Sequence, residues 1–206
     1  YGSYVRKWYE SGTSSPKYWV QQGNDSILTS FAGYEICQKT ANTISFQGIL
    51  ENGDFNSLQL SYTTGAVYTG QHIFANPYTA AIDIKQLTFG SQTEHSVYLY
   101  NSGSYSDWQG LGGNDGGDAP GDTPGKYTSV PQDQAGVGAI PSQVPSMQAM
   151  LVKVMTPGPN ATFGITYKSV VQNNTVPQRV SGTKETPQSD KVYTRIDLTG
   201  AHYSDR

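Results

Sequence analysis

Apolar and polar residues alternate along this chain in short runs, and no long window keeps a helical period. In "NTISFQGIL" (42–50), Ile44, Phe46 and Gly48 fall on one face, with Thr43, Ser45 and Gln47 on the other. That two-residue period is the mark of a half-buried strand. "SLQLSY" (57–62) repeats it with Leu58, Leu60 and Tyr62 inward. "KYWVQQG" (17–23), "GYEICQKT" (33–40), "SVYLYN" (96–101), "MQAMLVKV" (147–154), "ATFGITY" (161–167) and "KVYTRIDL" (191–198) are further strand-like runs. "GQHIFANPYTAAIDI" (70–84) begins as a strand and breaks at Asn76–Pro77, because proline disfavours α geometry in the residue before it. "AAIDIKQL" (80–87) has room for one or two helical turns. Turn signals fall between the runs, at Gly23–Asn24–Asp25, Thr40–Asn42 and Asn52–Gly53. About nine short strands so punctuated predict an all-β fold, an antiparallel β-sandwich of jelly-roll type. The expected core is Phe46, Leu60, Ile82, Leu99, Leu151 and Val152.

No repeat of fixed period is visible, so residues 1–200 read as a single module, with 201–206 opening a linker or a further module. Residues 102–146 stand apart. They are rich in Gly, Pro, Asp, Ser and Gln without periodicity, and are expected to form a long irregular loop. A second polar stretch (173–190) joins the last two strands.

Composition agrees with strands. The chain has 206 residues, enough to bury a core without staples. Only 35% of residues are apolar, but 15 Tyr and 23 Gly suit pleated surfaces and turns. The net charge is −3, and no Lys/Arg run exceeds Arg6–Lys7. That removes the electrostatic footprint of a nucleic-acid or anionic-membrane binder. No apolar run approaches ~18 residues, so membrane insertion is not expected. The polar, aromatic start has no signal-peptide pattern, and both ends read as those of an excised or processed piece. Cys37, the lone cysteine, has no internal disulfide partner and reads as a small buried side chain.

An ordered set of phrases carries a resemblance: "GYEICQ", "TISFQGILENG", "FANPYTAAIDI", "VYLYN", then "IPSQVPSMQAMLVKV" and "RIDLTGAHYSDR". Over about residues 30–206 they resemble a β-sandwich, adhesin-like module of large surface and secreted proteins of Bacteroidetes-type bacteria, often associated with type IX secretion. The most specific positions are Asn76, Pro77, Tyr78, Asp83, Ile140, Pro141, Met147, Gln148 and Val152. Ala75 stands where the pattern more often has Gly, Ala149–Met150 where it has Gly-Phe, and extra residues separate Pro141 from Pro145–Ser146. The resemblance implies an extracellular, cell-surface location and brings no catalytic residues. It also places 102–139 in a slot that tolerates loops of different length.

The chemistry on offer is thin. Asp115, Asp118 and Asp122, with Asn114, are hard oxygen donors among glycines, which a calcium loop would use at ~2.4 Å. Their spacing misses the EF-hand pattern and its bidentate glutamate, so a solvated loop is favoured over a calcium site, and no cofactor is expected. Asn76, Pro77, Tyr78 and Gln148 read as architecture: Asn76 bonding the turn backbone, Pro77 fixing φ, Tyr78 packing beneath, and the Gln148 amide satisfying main-chain groups. A glycan hydrolase needs two carboxyl groups flanking the bond. Glu35, Glu51, Asp54, Asp83 and Glu94 are present, but no nucleophile elbow, zincin motif or P-loop is, and His72, His95 and His202 are isolated. Trp8, Tyr9 and Tyr18 near the start, with Tyr105 and Trp108 at the opening of the long loop, are candidate contact residues, whereas Trp19 reads as core. The reading is a noncatalytic extracellular module with a structural or adhesive role in a larger surface protein. Its partners would be other modules of the same polypeptide, and a glycan or a host or cell-surface protein. The alternative is a carbohydrate-binding module using Tyr105 and Trp108; a fragment of a glycan hydrolase ranks below both.

Overall fold

The computed structural model describes residues 4–12, 18–23, 26–37, 45, 47–101, 126–171, 198–200 and 203–205. Among them the chain is all-β, with short 3-10 turns and no α-helix. The central sheet has the order β5 (Gln71–Ala75), β11 (Ala149–Lys153), β8 (Ser96–Asn101), β9 (Lys126–Pro131). Facing it is a smaller sheet of β4 (Phe55–Gln59), β12 (Thr162–Ile165) and β7 (Thr88–Phe89). A ribbon of β6 (Ile82–Asp83) and β10 (Gln143–Val144) closes one side, and a hairpin of β13 (Leu198–Gly200) and β14 (Tyr203–Asp205) ends the described chain. A further sheet, in the order β2 (Trp19–Gln21), β1 (Tyr4–Trp8), β3 (Tyr34–Cys37), stands at the N-terminal side. All these pairings are antiparallel.

The two facing sheets bury one core. Val97 and Leu99 of β8, Met150 and Val152 of β11, Val130 of β9, and Phe163 and Ile165 of β12 are almost fully removed from water. Phenylalanines run through its centre. Phe31 stacks on Phe55 (4.8 Å) and Phe74 (4.6 Å), and Phe163 lies 5.3 Å from Phe74 and 5.2 Å from Phe89. Phe31 does this at φ 69, a left-handed conformation that costs a non-glycine residue ~1–3 kcal/mol and that the surrounding packing must hold.

The same short segment joins the N-terminal sheet to the sandwich. Just before β3, Ala32 bridges Phe74, Gly33 N–H donates to Ile73 O (2.9 Å), and Ala75 N–H donates to Phe31 O (3.1 Å). A Cβ on Gly33 would lie 2.5 Å from Ile73 O, so only glycine allows this approach. The backbone then continues as β3 along β1, which extends the hydrogen-bonded surface past the sandwich edge.

Many expected strands are present, and Leu60, Ile82, Leu99, Leu151 and Val152 are buried. Phe46 lies outside the described residues. Two expectations about strand and loop need correction. First, Ser45 and residues 47–50 belong to no strand, and Ile49 and Leu50 are strongly exposed. Alternation sorts side chains onto faces but supplies no partner, and among the described residues none runs beside 47–50. Second, residues 102–146 are not all loop. β9 pairs with β8 across six registered positions, from Ser96↔Pro131 to Asn101↔Lys126, and Val130, Ala135 and Val144 are buried. "KYTSVP" has the β-branched and aromatic residues of a strand; surrounding Gly and Pro masked them. "AAIDIKQL", with room for one or two helical turns, makes strand β6 and then one 3-10 turn at Ile84–Gln86, which Asp83 caps by accepting from Lys85 N–H. No helix of the described residues is long and apolar enough to cross a membrane.

Candidate functional site

Tyr105, Trp108, Asp115, Asp118 and Asp122 lie outside the described residues, as does His202. Among the described residues no group of three or more His, Cys, Asp or Glu is placed to hold a metal ion.

Asn76 sits at the exit of β5 with 1% of its surface exposed. Its Nδ2 donates to Ala80 O (2.9 Å) and Val144 O (3.0 Å), and its Oδ1 accepts from Tyr78 N–H (2.9 Å). Its own N–H donates to Gln148 O (3.0 Å). Gln148 therefore serves this turn through its backbone, while its side-chain amide donates to Ala149 O (3.3 Å). Tyr78 is buried; its hydroxyl donates to Gly53 O (2.7 Å), and Ser146 Oγ donates to Tyr78 O (2.7 Å). Burial, with Asp54 and Glu51 nearby, pushes the Tyr78 pKa up to about 12, so the phenol keeps its donating proton.

The five carboxylates considered for hydrolysis are all engaged in hydrogen bonds or an ion pair, Glu51 and Asp54 in one turn and the others elsewhere. Glu35 pairs with Arg6, Asp83 caps the 3-10 turn, and Glu94 accepts from the Tyr98 hydroxyl (2.6 Å). Asp54 accepts from Tyr167 N–H (2.6 Å). Glu51 accepts from Ser30 Oγ and from the N–H groups of Asn52 and Gly53, and these bonds hold its pKa below the usual carboxylate value. His95 stacks on Phe89 at 5.5 Å. His72 Nε2 lies 2.9 Å from Ser61 O; a carbonyl can only accept, so this nitrogen carries the proton.

The aromatic residues near the start do converge. Trp8 meets Trp19 edge-on at 5.1 Å, Tyr18 at 5.7 Å and Tyr68 at 5.4 Å, and Tyr18 meets Tyr68 at 4.9 Å. β1 sets this up, because Trp8↔Trp19 is a registered pair with β2. Trp8 Nε1 donates to Gln71 O (2.7 Å), which fixes the cluster against β5. Trp19 is half-buried in this cluster, not in the core, since its strand lies at the edge of a sheet with no buried strand residue. Tyr9 is exposed, with Lys7 Nζ 5.7 Å from its ring centroid. On the Trp8 face of β1, Arg6 Nη2 pairs with Glu35 Oε2 at 2.6 Å while the Tyr4 hydroxyl donates to Glu35 Oε1 (3.1 Å) and the guanidinium stacks 4.5 Å over the Tyr4 ring. Burial and the Glu35 charge push the Tyr4 phenol well above its ordinary pKa. Cys37, paired with Tyr4 at the end of this sheet, is half-buried rather than buried.

Two features escaped the sequence reading. Tyr68 joins the cluster from a loop that carries no strand pattern. Glu10, next after Tyr9, is 5% exposed and accepts from Ser61 Oγ, Thr63 N–H, Thr63 Oγ1 and Gly70 N–H. Its burial alone would raise its pKa, but these bonds outweigh that and hold it below the ordinary value. The "W-Y-E" order hints that something follows the aromatic residues, but the donors lie more than fifty residues away in sequence.

Chemically, this arrangement offers half-exposed aromatic rings beside an ion pair, which suits contact with another molecule; no activated nucleophile or acid–base pair is formed among the described residues. No family model matches the chain. No solved structure matches it. Over 177 residues, 84% of its length, the chain is 35% identical to minor fimbrium subunit Mfa5 of Porphyromonas gingivalis, and it spans 14% of that protein.

Proposed function

We propose that this chain is a noncatalytic β-sandwich module with a structural or adhesive role in a larger, extracellular protein of the bacterial surface. The observation that carries the reading is the similarity to a fimbrium subunit over 177 residues. A sandwich of short antiparallel strands suits the role, because its core holds shape while loops and an accessory sheet are free to vary. The occupied carboxylates support a noncatalytic reading: each secures a strand, a turn or a cap. The partners proposed are other modules of its own polypeptide and other proteins of a surface assembly.

The test is made in the full-length protein in its own cells. Replacing this module by a Gly/Ser linker should leave the protein exported but reduce its incorporation into surface assemblies and the cells' adhesion. Unchanged assembly and adhesion would refute the role. Turnover of any member of a chromogenic glycoside panel by the purified module would refute its noncatalytic character.

A further inference from the structure

Glu10 combines three properties rarely found together. It is buried, its hydrogen bonds hold its pKa below the ordinary carboxylate value, and among the described residues it has no Lys or Arg partner. Such a carboxylate is costly unless neutral dipoles replace its water. Here they do. Oε1 receives the N–H groups of Thr63 (2.8 Å) and Gly70 (2.7 Å), and Oε2 receives the hydroxyls of Ser61 (2.8 Å) and Thr63 (2.7 Å). Four donors converge on two oxygens, a geometry that fits an anion and no neutral group equally well. The loop is itself built around that point: Thr69 Oγ1 donates to Thr63 O and Ala66 O, and Gly70, at φ +72, gives its carbonyl to Val154 N–H.

The two sides of this joint belong to different parts of the fold. Glu10 lies two residues past the end of β1 of the N-terminal sheet, while residues 61–70 lead into β5 of the sandwich. Nearby, Val67 N–H donates to Gly12 O (3.1 Å), so the loop also closes over the chain that follows Glu10. We propose that Glu10 is a charge-dependent latch: ionised, it fastens the outer end of the N-terminal sheet to the sandwich, and once neutral it lets that joint open while the sandwich stays folded. A protonated carboxyl must donate where it now only accepts, so at least one hydroxyl has to turn away and the remaining bonds lose their charge assistance. Trp8 on Gln71 O and the Ala32–Phe74 bridge still tether the sheet, which confines the opening to its Glu10 end.

The sign follows from the depressed pKa. The latch is complete above the ordinary carboxylate range and is lost as pH falls through the folded pKa. Among the described residues, His72 of β5 feels the charge of Glu10; burial lowers the His72 pKa, so it also resists protonation as pH falls. Loop 61–70 brings the phenols Tyr62 and Tyr68 and no charged residue.

Hydrogen exchange of the Thr63 and Gly70 amides, corrected for intrinsic rates, tests this on the whole chain. In the wild type both should be protected at pH 7 and lose protection at acid pH before the Val97 and Val152 amides do. Glu10→Gln, which keeps the shape, should exchange at least about tenfold faster at pH 7, a factor that ~1.4 kcal/mol represents, with no further acid dependence. Wild-type rates in Glu10→Gln would overturn the latch. So would an acid dependence that persists in that variant, which would move the effect to His72. Should the variant not fold, the wild-type series alone decides: Thr63 and Gly70 opening only together with Val97 and Val152 would refute it.

Discussion

Replacing Asn76 by alanine tests whether the turn after β5 is architecture. The side chain makes three hydrogen bonds at 2.9–3.0 Å, two as donor to Ala80 O and Val144 O and one as acceptor from Tyr78 N–H. Each is worth ~0.5–1.5 kcal/mol net, and a buried group left without its partner costs ~1–3 kcal/mol. With Asn76 only 1% exposed, water reaches the orphaned groups poorly, so a loss of ~3–5 kcal/mol is expected. Asn76→Asp should be at least as harmful, because a carboxylate has no N–H for the two carbonyls and sets a charge against them. Pro77→Ala is the contrast: it only relaxes a fixed φ and should cost ~0.4–1 kcal/mol. Urea denaturation followed by tryptophan fluorescence supplies the midpoint and slope for each variant. A shift below ~1 kcal/mol for both Asn76 variants, at unchanged slope, would refute the assignment and reopen this turn as a contact site.

Three further outcomes follow from the packing and the loop. Phe163→Ala removes the ring between Phe74 and Phe89 and should destabilise by ~3–5 kcal/mol; an unchanged melting temperature would mean the two sheets do not share this core. Excising 110–138 takes away β9 together with Val130 and Ala135, so it should abolish cooperative unfolding, and a sharp transition in the shortened chain would contradict the pairing of β9 with β8. Thermal melts in millimolar calcium and in chelator should coincide, since a bound ion at one hundred times Kd would add ~2.7 kcal/mol. A rise with calcium that vanishes on Asp115→Ala and Asp118→Ala would instead make the acidic segment a metal site.

What was legible depended on where the information lay. β8 is "SVYLYN" to the residue, because its alternation is clean and both ends carry turn residues. The break after β5 was readable because proline acts on its own neighbour. β9 was not, since its strand-forming residues are embedded in Gly/Pro-rich sequence, and only the long pairing with β8 selects them. Residues 47–50 err the other way: they have the pattern and lack the partner. Trp19 was misplaced because an aromatic residue in an alternating run looks the same in an edge sheet and in a core. Glu10 is the extreme case, since all four of its donors come from residues 51 to 60 positions away.

The same distinction explains why the recognisable phrases were Asn76–Pro77–Tyr78 and Gln148 rather than any acidic or histidine motif. Asn76 N–H reaches Gln148 O, Asn76 Nδ2 reaches Val144 O, and Ser146 Oγ reaches Tyr78 O, so two phrases about seventy residues apart are bonded to each other. The extra residues between Pro141 and Pro145 are part of this joint: Gln143–Val144 forms β10 against β6 while Val144 O accepts from Asn76, and Gln148 N–H closes its turn onto Pro145 O (3.1 Å). Replacing Asn76 strands buried donors and acceptors on both phrases, whereas Gln148 and Val144 serve the joint through their main-chain carbonyls. A motif of this kind identifies an architecture. Packing is looser at the N-terminal sheet, where Trp8, Trp19 and the Arg6–Glu35 pair, with Tyr18 beside them, are only half-buried.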